Sequence, residues 1–390
     1  MVTDKSKKPE LRFKGFSDDW EQRKLSNVAE IVGGGTPSTL NPDYWDGDID
    51  WYAPAEIGKQ IFANGSIRKI TKDGLNHCSA KILPAYKTVL FTSRAGIGNM
   101  AILQRSAATN QGFQSLVCHD NIDPYFVFSM GDNIKIKAKH IAAGSTFAEI
   151  SGKKLGALEF MFPDADEQKA IGAYFMSLDK LITLHQRKCE NLKIIKKSML
   201  DNLFPKNGEK IPRWRFKGFN DDWEQCKLGD EALEILAGGD VDKSRLVENG
   251  KYPVIANALT DDGIVGYYED NFRVKAPAVT VTGRGDVGHA QARKVNFTPV
   301  VRLLSVTSNH DVDFLAEAIN QNNVVLESTG VPQLTVPKLA SYKLFFPPTI
   351  EEERKIGQYF LNLDHLITLH QSEVERLKKV KQFFLDKMFI

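Results

Sequence analysis

The chain has little of what would place it outside a cell or in a membrane. Only four cysteines occur in 390 residues, Cys78, Cys118, Cys189 and Cys226. None pairs with a second cysteine or a histidine at zinc spacing, so free thiols in a reducing compartment are expected and not a disulfide framework or a metal clip. Long apolar runs are missing too: stretches such as Ala278–Val281 and Phe126–Phe128 fall far short of the roughly 20 residues that span a bilayer. The N-terminal MVTDKSKKPE is charged and lacks the apolar run of a secretory signal, which makes the cytoplasm the expected address. A surplus of one charge is also absent. With 51 Lys+Arg against 49 Asp+Glu the net charge is +2, which argues against a strongly basic binder drawing its affinity from neutralised phosphates alone. Any DNA reading by this chain would lean on partners for positive surface. No GxxxxGK[ST] loop occurs, so the chain is not a nucleotide-driven motor. What remains, 42% hydrophobic and 26% charged, suits two or three packed domains.

What the chain does have, it has twice. LRFKGFSDDWEQRKL at Leu11–Leu25 returns as WRFKGFNDDWEQCKL at Trp214–Leu228, with twelve of fifteen positions identical. LDKLITLHQ at Leu178–Gln186 returns as LDHLITLHQ at Leu363–Gln371, with eight of nine identical. The first pair is displaced by 203 residues and the second by 185, so the second copy is 18 residues shorter between its ends. The interiors hardly align, the pattern of one scaffold carrying two recognition surfaces.

Between the matching ends, short β-rich runs such as Thr88–Thr92, Gln114–Cys118, Ala278–Thr282 and Val300–Val306 alternate with Gly, Pro and Asn punctuation, as in a mixed α/β globule. Each copy then passes a proline gate, FPDADEQ at Phe162–Gln168 and FPPTIEEE at Phe346–Glu353, into a long helical pattern whose first turn is acidic, as the positive end of a helix dipole favours. A heptad seam runs through Ile171, Leu178, His185, Leu192 and Met199, flanked by Tyr174, Leu181 and Ile195. The second copy repeats it with Ile356, Leu363, His370, Leu377 and Phe384, flanked by Tyr359, Leu366 and Val380. Such a seam predicts coiled-coil packing of two rods, each about 55 to 60 Å long. Because each globule precedes its own helix, antiparallel rods would hold the globules at opposite ends like the reading heads of a ruler. The expected division is 1–163 for the leader and first globule, 164–204 for the first spacer helix, 205–213 for a linker, 214–347 for the second globule and 348–390 for the second spacer helix.

The duplicated RFKGFSDDWEQRKL and RFKGFNDDWEQCKL, the run GGGTPST at Gly33–Thr39 followed by YWDGDIDW, and EQKAIGAYF…LDKLITLHQ with its partner ERKIGQYF…LDHLITLHQ together resemble the specificity subunit of type I restriction-modification enzymes. The resemblance covers nearly the whole chain. It implies an α+β fold: two mixed α/β target-recognition domains separated by two long antiparallel helices forming a coiled-coil spacer, with an internal pseudo-twofold repeat. It implies a non-catalytic subunit that reads an asymmetric, bipartite double-stranded DNA target and docks two methyltransferase subunits and restriction/translocase subunits. S-adenosylmethionine, ATP and Mg would belong to those partners, with no cofactor or metal on this chain. A spacer of the estimated length can hold two readers about one helical turn of B-DNA apart, or a multiple of it.

Base reading needs Arg, Lys, Asn or Gln at base edges, with hydroxyls and lysines on phosphates. Candidates in the first globule are Thr36, Ser38, Arg94, Asn99, Gln111 and the basic run Lys135, Lys137, Lys139. In the second they are Lys243, Arg245, Asn257, Arg284, Gln291, Arg293 and Lys294. Arg94 and Arg284 stand in comparable contexts, TSRAGIGNMA and TGRGDVGHAQ, which predicts one shared loop. The alternative for each is an ordinary surface or turn residue. Lys193, Lys196, Lys197, Lys378, Lys379 and Lys381 read as solvated helix flank, or as contacts to phosphates or partners.

Other patterns carry less. GRGDVG at Gly283–Gly288 has the letters of a dinucleotide fingerprint, but KVNFTPV follows it where a helix and a ribose-binding acid are needed. NPDY and DPYF lack the second proline of adenine-methylating motifs and read as turns. Pro163-Asp164 with Glu167 and Lys169 crowds nuclease letters into one turn and reads as helix capping. His185 and His370 share a heptad position and read as a packed pair, not a metal site. A rival from another class is a coiled-coil structural adaptor whose globular ends bind proteins.

Overall fold

The structure, a computed structural model, describes residues 7–58, 60–94, 96–143, 149–206, 208–322 and 332–390. The chain divides into two units, Met1–Leu184 with Glu373–Ile390, and His185–Ser372. Each is built from one globule and part of both long helices.

The first unit contains strands β1 (Glu21–Lys24), β2 (Ala29–Gly33), β3 (Trp45–Tyr52), β4 (Phe62–Ala63), β5 (Arg68–Ile70), β6 (Thr88–Phe91), β7 (Met100–Leu103), β8 (Ala107–Thr109), β9 (Gln114–Cys118) and β10 (Glu159–Phe162). Its helices are α1 (Lys72–Asn76), α2 (Pro124–Ser129), α3 (Gly131–Ala142), α4 (Gly152–Gly156) and the start of α5 (Ala165–Leu203). A five-stranded sheet of order β2-β9-β6-β7-β4 and a three-stranded sheet of order β5-β3-β8 form its body, and β1 pairs antiparallel with β10. Strands such as β6 and β7, buried at every position, explain the uninterrupted apolar runs in the sequence.

The second unit repeats the plan. It has α6 (Leu228–Glu231), α7 (Val312–Asn320), α8 (Val336–Ala340) and the start of α9 (Ile350–Met388). Its strands are β11 (Glu224–Lys227), β12 (Ala232–Ala237), β13 (Tyr252–Ile255), β14 (Ile264–Tyr268), β15 (Ala278–Thr282), β16 (Ala290–Arg293), β17 (Thr298–Pro299), β18 (Leu303–Ser308) and β19 (Lys343–Phe346). The orders β12-β18-β15-β16 and β14-β13-β17 match those of the first unit without β4, and β11 pairs with β19 as β1 does with β10. The strand expected at Val300–Val306 begins only at Leu303, because Arg302 takes a left-handed backbone, φ +71°.

The repeated opening motif is a clasp. Arg12 donates from Nε and Nη2 to the two carboxylate oxygens of Glu167 at 2.6 and 2.7 Å, and Trp20 Nε1 donates to the same group at 3.1 Å. In the second unit Arg215 grips Glu352 at 2.7 and 2.8 Å. Both glutamates are fully buried in the first turn of a long helix. A bidentate fork is the geometry that makes a buried ion pair tolerable. Asp164 Oδ1 caps α5 by accepting from the backbone N–H of Asp166 and Glu167 at 2.9 and 2.8 Å, so the carboxylates of FPDADE serve helix capping and the clasp.

In the first unit, Tyr174 of α5 meets Phe384 of α9 edge to face, and Phe175 packs with a tilted ring on Phe389, just beyond α9. In the second, Phe204, next to the end of α5, stacks on Phe360 of α9. In the first unit Asp179 meets Lys381 while Tyr174 meets Phe384, and in the second His185, Lys196 and Phe204 meet His370, Asp364 and Phe360 in turn, so the helix segments in each unit run antiparallel. The seam is wider than the one-in-seven reading. Ile171, Leu178, Ile356, Leu363 and Leu377 are buried, and Leu192, Met199 and Phe384 pack partly buried against the cores. The second row lies four residues on, at Phe175, Ile182, Cys189, Phe360, Ile367 and Val374, all buried. Of the flanks expected three residues on, Tyr174, Tyr359 and Val380 pack partly buried against the cores, while Leu181, Ile195 and Leu366 are 43%, 42% and 40% exposed, as positions at the edge of a 3.5-residue stripe are.

Lys196 and Lys381 occupy this second row and are not solvated flank. Lys381 Nζ lies 2.7 and 2.9 Å from the oxygens of Asp179, which also accepts from Tyr125 Oη at 2.8 Å. Lys196 Nζ lies 2.7 Å from Glu317 and 2.7 and 2.8 Å from Asp364. A paired charge inside an apolar seam fixes helix register. His185 and His370, both in the second unit, place their Nδ1 atoms 3.0 Å apart. Burial and the neighbouring His185 hold His370 below the usual histidine pKa.

The cysteines are packing residues. Burial pushes the Cys118 thiol up to about 12, and burial with Glu231 pushes Cys226 up to about 11. Among the described residues no cluster of three metal-ligating side chains occurs, and no helix is long and apolar enough to cross a membrane.

Candidate nucleic-acid interface

At one end of the large sheet in the first unit, four loops are tied together by backbone bonds. Gly35 N–H donates to Thr109 O at 2.9 Å, Ser93 N–H to Gly112 O at 2.7 Å, and Ile150 N–H to Ser93 O at 3.2 Å. Gly34 makes the first approach possible: a Cβ there would stand 2.0 Å from Asn110 O. Gly238 has the same job in the second unit, where a Cβ would stand 2.0 Å from Val300 O.

The loop carrying Arg94 and the loop carrying Arg284 are the same structure. Thr92 N–H donates to Asn99 O at 3.0 Å, Gly98 N–H to Thr92 O at 2.9 Å, and Asn99 N–H to Thr92 Oγ1 at 2.9 Å. Thr282, Gly288 and His289 repeat these bonds at 3.0, 2.7 and 2.9 Å, and Gly98 and Gly288 both take φ +89°. The following segment repeats as well, since Leu334 N–H donates to Gly283 O at 3.0 Å as Ile150 does to Ser93. The scaffold and its exposed arginine are common, and the side chains around them are not.

In the first unit this end gathers Thr36, Gln111 and Arg94. Thr36 Oγ1 donates to Gln111 Oε1, and Arg94 Nε lies 2.8 Å from Glu149. Ser38 is exposed two residues beyond Thr36, with its Oγ accepting from Leu40 N–H at 3.4 Å. Asn99 turns inward, donating from Nδ2 to Ile57 O at 3.3 Å. The basic run does not form one patch. Lys137 reaches back to Glu159 O at 2.6 Å and lies 4.1 Å over the Phe160 ring. Lys135 lies against Gly98, and with Lys139 lines a cleft shared with Leu385 and Phe389.

In the second unit, Asn257 is a clamp: its Oδ1 accepts from Gly283 N–H at 2.8 Å and its Nδ2 donates to Val301 O at 3.1 Å. Arg284 is exposed beside it. Arg293 is half-buried, donating to Thr280 Oγ1 at 2.9 Å and to Gln291 Oε1 at 2.7 Å, and desolvation lowers its pKa. Gln291 in turn holds Asp262 at 2.9 Å, Lys294 pairs with Asp313 at 2.8 Å, and Arg245 pairs with Asp270 at 2.8 Å while Lys243 stays exposed. Gln291 and Lys294 line a cleft of about 610 Å³ with Lys196, Glu317 and Asp364, which His289 at the end of the Arg284 loop also borders.

A family model for the type I restriction modification DNA specificity domain matches residues 17–193 and again 220–379. The chain belongs to this family. Among curated relatives, the type I restriction enzyme MjaIX specificity subunit of Methanocaldococcus jannaschii is 31% identical over 61% of this chain and 57% of its own length. The EcoR124I/EcoR124II specificity subunit of Escherichia coli is 28% identical over 47% of this chain and 45% of its own length. The chain thus spans about half the length of these two. A putative MjaX specificity subunit of M. jannaschii is 24% identical over 95% of this chain and 92% of its own length. A crystal structure of a type I restriction-modification system S subunit from M. genitalium superposes with a TM-score of 0.67 at 16% identity, covering 98% and 99% of the two chains, which shows a shared fold. The two matched stretches of the family model open inside the two copies of the clasp motif, so the duplication belongs to the family architecture.

Sequence reading of this family member missed Arg302, Gln333 and Glu149, the partners at the loop end. Arg302 was hidden inside a run that reads as strand. Glu149 and Gln333 were not marked by type, but they hold the same position, one residue before the amide that bonds to Ser93 or Gly283.

Proposed function

We propose that this chain is a non-catalytic DNA-reading subunit that recognises an asymmetric, bipartite target, one half per unit, and assembles two methyltransferase subunits and, in a restriction complex, nuclease/translocase subunits. The observation that carries this reading is the pair of loop ends with one hydrogen-bonded scaffold and different exposed side chains. Unlike side chains on like frames suit unlike half-sites, because base-edge contacts specify sequence while the frame only places them. Methyl donor, ATP and Mg belong to the partners, and the cytoplasm is where these meet DNA. The net charge of +2 fits a reader whose phosphate contacts are shared with other subunits.

The test is binding by the assembled complex, purified through this chain from its native host, to duplex DNA carrying the sequence methylated in that host. Sequence-specific binding that weakens steeply with added salt is expected. A complex containing this chain that binds scrambled and host-methylated duplexes alike would point to a protein adaptor.

A further inference from the structure

The two units hold an arginine at the same place by different routes. In the first, Arg94 from the loop after β6 meets Glu149. In the second, Arg302 Nη1 donates to Gln333 Oε1 at 2.7 Å. Glu149 and Gln333 are equivalent positions, because the residue following each donates its N–H to Ser93 O or Gly283 O. Arg302 is the counterpart of Gly112: β15 pairs Thr282 with Leu303 where Thr92 pairs with Phe113. A left-handed arginine, φ +71°, thus stands where the first unit has a glycine whose own backbone is not left-handed. A long side chain gains nothing locally from this backbone, which only glycine adopts without strain. Strained residues of this kind persist where their side chain has a task.

We propose that Arg302 is a guanine-reading residue of the second half-site, with Gln333 as its positioning residue. The inference rests on the DNA-reading function above and adds a residue and a base to it. The chemistry is that of the guanidinium: its five N–H donors form a rigid fork that fits O6 and N7 of guanine in the major groove. Gln333 takes one donor and leaves the fork enough for a bidentate contact while limiting its rotation. The exposed Arg284 and the half-buried Asn257 clamp lie on the adjoining loops, so the half-buried fork stands at the loop end and does not line the helix-facing cleft.

The sharpest test is Arg302→Gly in the full chain within its native complex, with Arg302→Lys beside it. Methylated adenines are mapped across the host genome, and duplex binding is measured with each guanine of the mapped target replaced in turn. Glycine relieves the backbone, so the melting temperature is expected to hold or rise. Binding to the intact target is expected to fall by about 10- to 100-fold, the worth of one bidentate contact, and methylation is expected to relax at one guanine of one half-site only. Lysine should not restore that discrimination, since it lacks the fork. Gln333→Ala should blunt discrimination at the same guanine. A stable Arg302→Gly protein with unchanged affinity and an unchanged methylation pattern would overturn the assignment. So would relaxation at an adenine or in both half-sites. If the wild-type complex itself lacked sequence-specific binding, the DNA-reading function would fail first, independently of Arg302.

Discussion

The two units solve one structural problem with different charges. In the first, Gln168 Oε1 accepts the N–H of Asp123, the residue that caps α2, at 3.2 Å, and Ile122 beside it is buried. In the second, Glu353 Oε2 accepts the N–H of the capping Asp311 at 2.8 Å, and Ile122 is replaced by His310, which bridges Glu353 at 2.7 Å and Glu231 at 3.2 Å over the Phe346 ring. The backbone bond is kept and the electrostatics are not. The connection after β3 likewise covers 53–67 and includes β4, while that after β13 covers only 256–263. The frame tolerates such exchanges wherever its hydrogen bonds survive, which is how unlike surfaces come to sit on like scaffolds.

The largest expected effect breaks the clasp. Glu167→Ala leaves Arg12 buried without its partner and should cost about 3–5 kcal/mol. Glu352→Ala should cost less, by about 1 kcal/mol, because Trp20 bonds to Glu167 whereas the Trp223 indole has no partner among the described residues. Hydrogen exchange followed on peptides of each unit separates the two. Equal costs would show that the tryptophan bond adds nothing.

Next in size, Gly34→Ala and Gly238→Ala should each destabilise by about 1–3 kcal/mol, since a methyl group would meet backbone oxygen and not a yielding side chain. The costs should match, as the approach distances do. Thermal denaturation of the full-length variants checks this, and a marked inequality would mean the two loop ends are less alike than their hydrogen bonds.

The smallest effect is a pH dependence confined to one unit. Burial opposes the charge on His310, but Glu353 and Glu231 outweigh it and raise its pKa above the ordinary histidine value. A raised folded-state pKa contributes stability that is complete below about pH 6.5 and disappears as pH climbs through the folded value. Exchange protection around α7 and β19 should therefore weaken as pH rises above about 6.5, while the region of Ile122 should not follow. His310→Asn should flatten the profile. A profile unchanged in that variant would assign the dependence to another group.

Much of the frame was legible in the sequence, because the repeat and the heptads obey short-range rules. Gln114–Cys118 and Ala278–Thr282 are strands at the expected bounds, and the helix expected over Asp166–Leu203 runs from Ala165 to Leu203. The shared Arg94 and Arg284 loop was visible as TxR with a glycine one or two residues on. What sequence hid was decided by contacts between distant segments. Lys196 and Lys381 look like solvated lysines until Asp364 and Asp179 arrive from the other helix. Asn257 gives no sign in the sequence that Gly283 and Val301 hold both ends of its amide. Arg302 looks like strand, because a left-handed φ leaves no mark on a β-branched run.

The most direct measurement is genome-wide mapping of methylated adenine in hosts carrying this chain with Val28–Phe162 exchanged for the corresponding domain of a relative. One half of the methylated target should change and the other half, read by the second unit, should remain. A swap that altered both halves, or neither, would contradict two independent readers on a common frame.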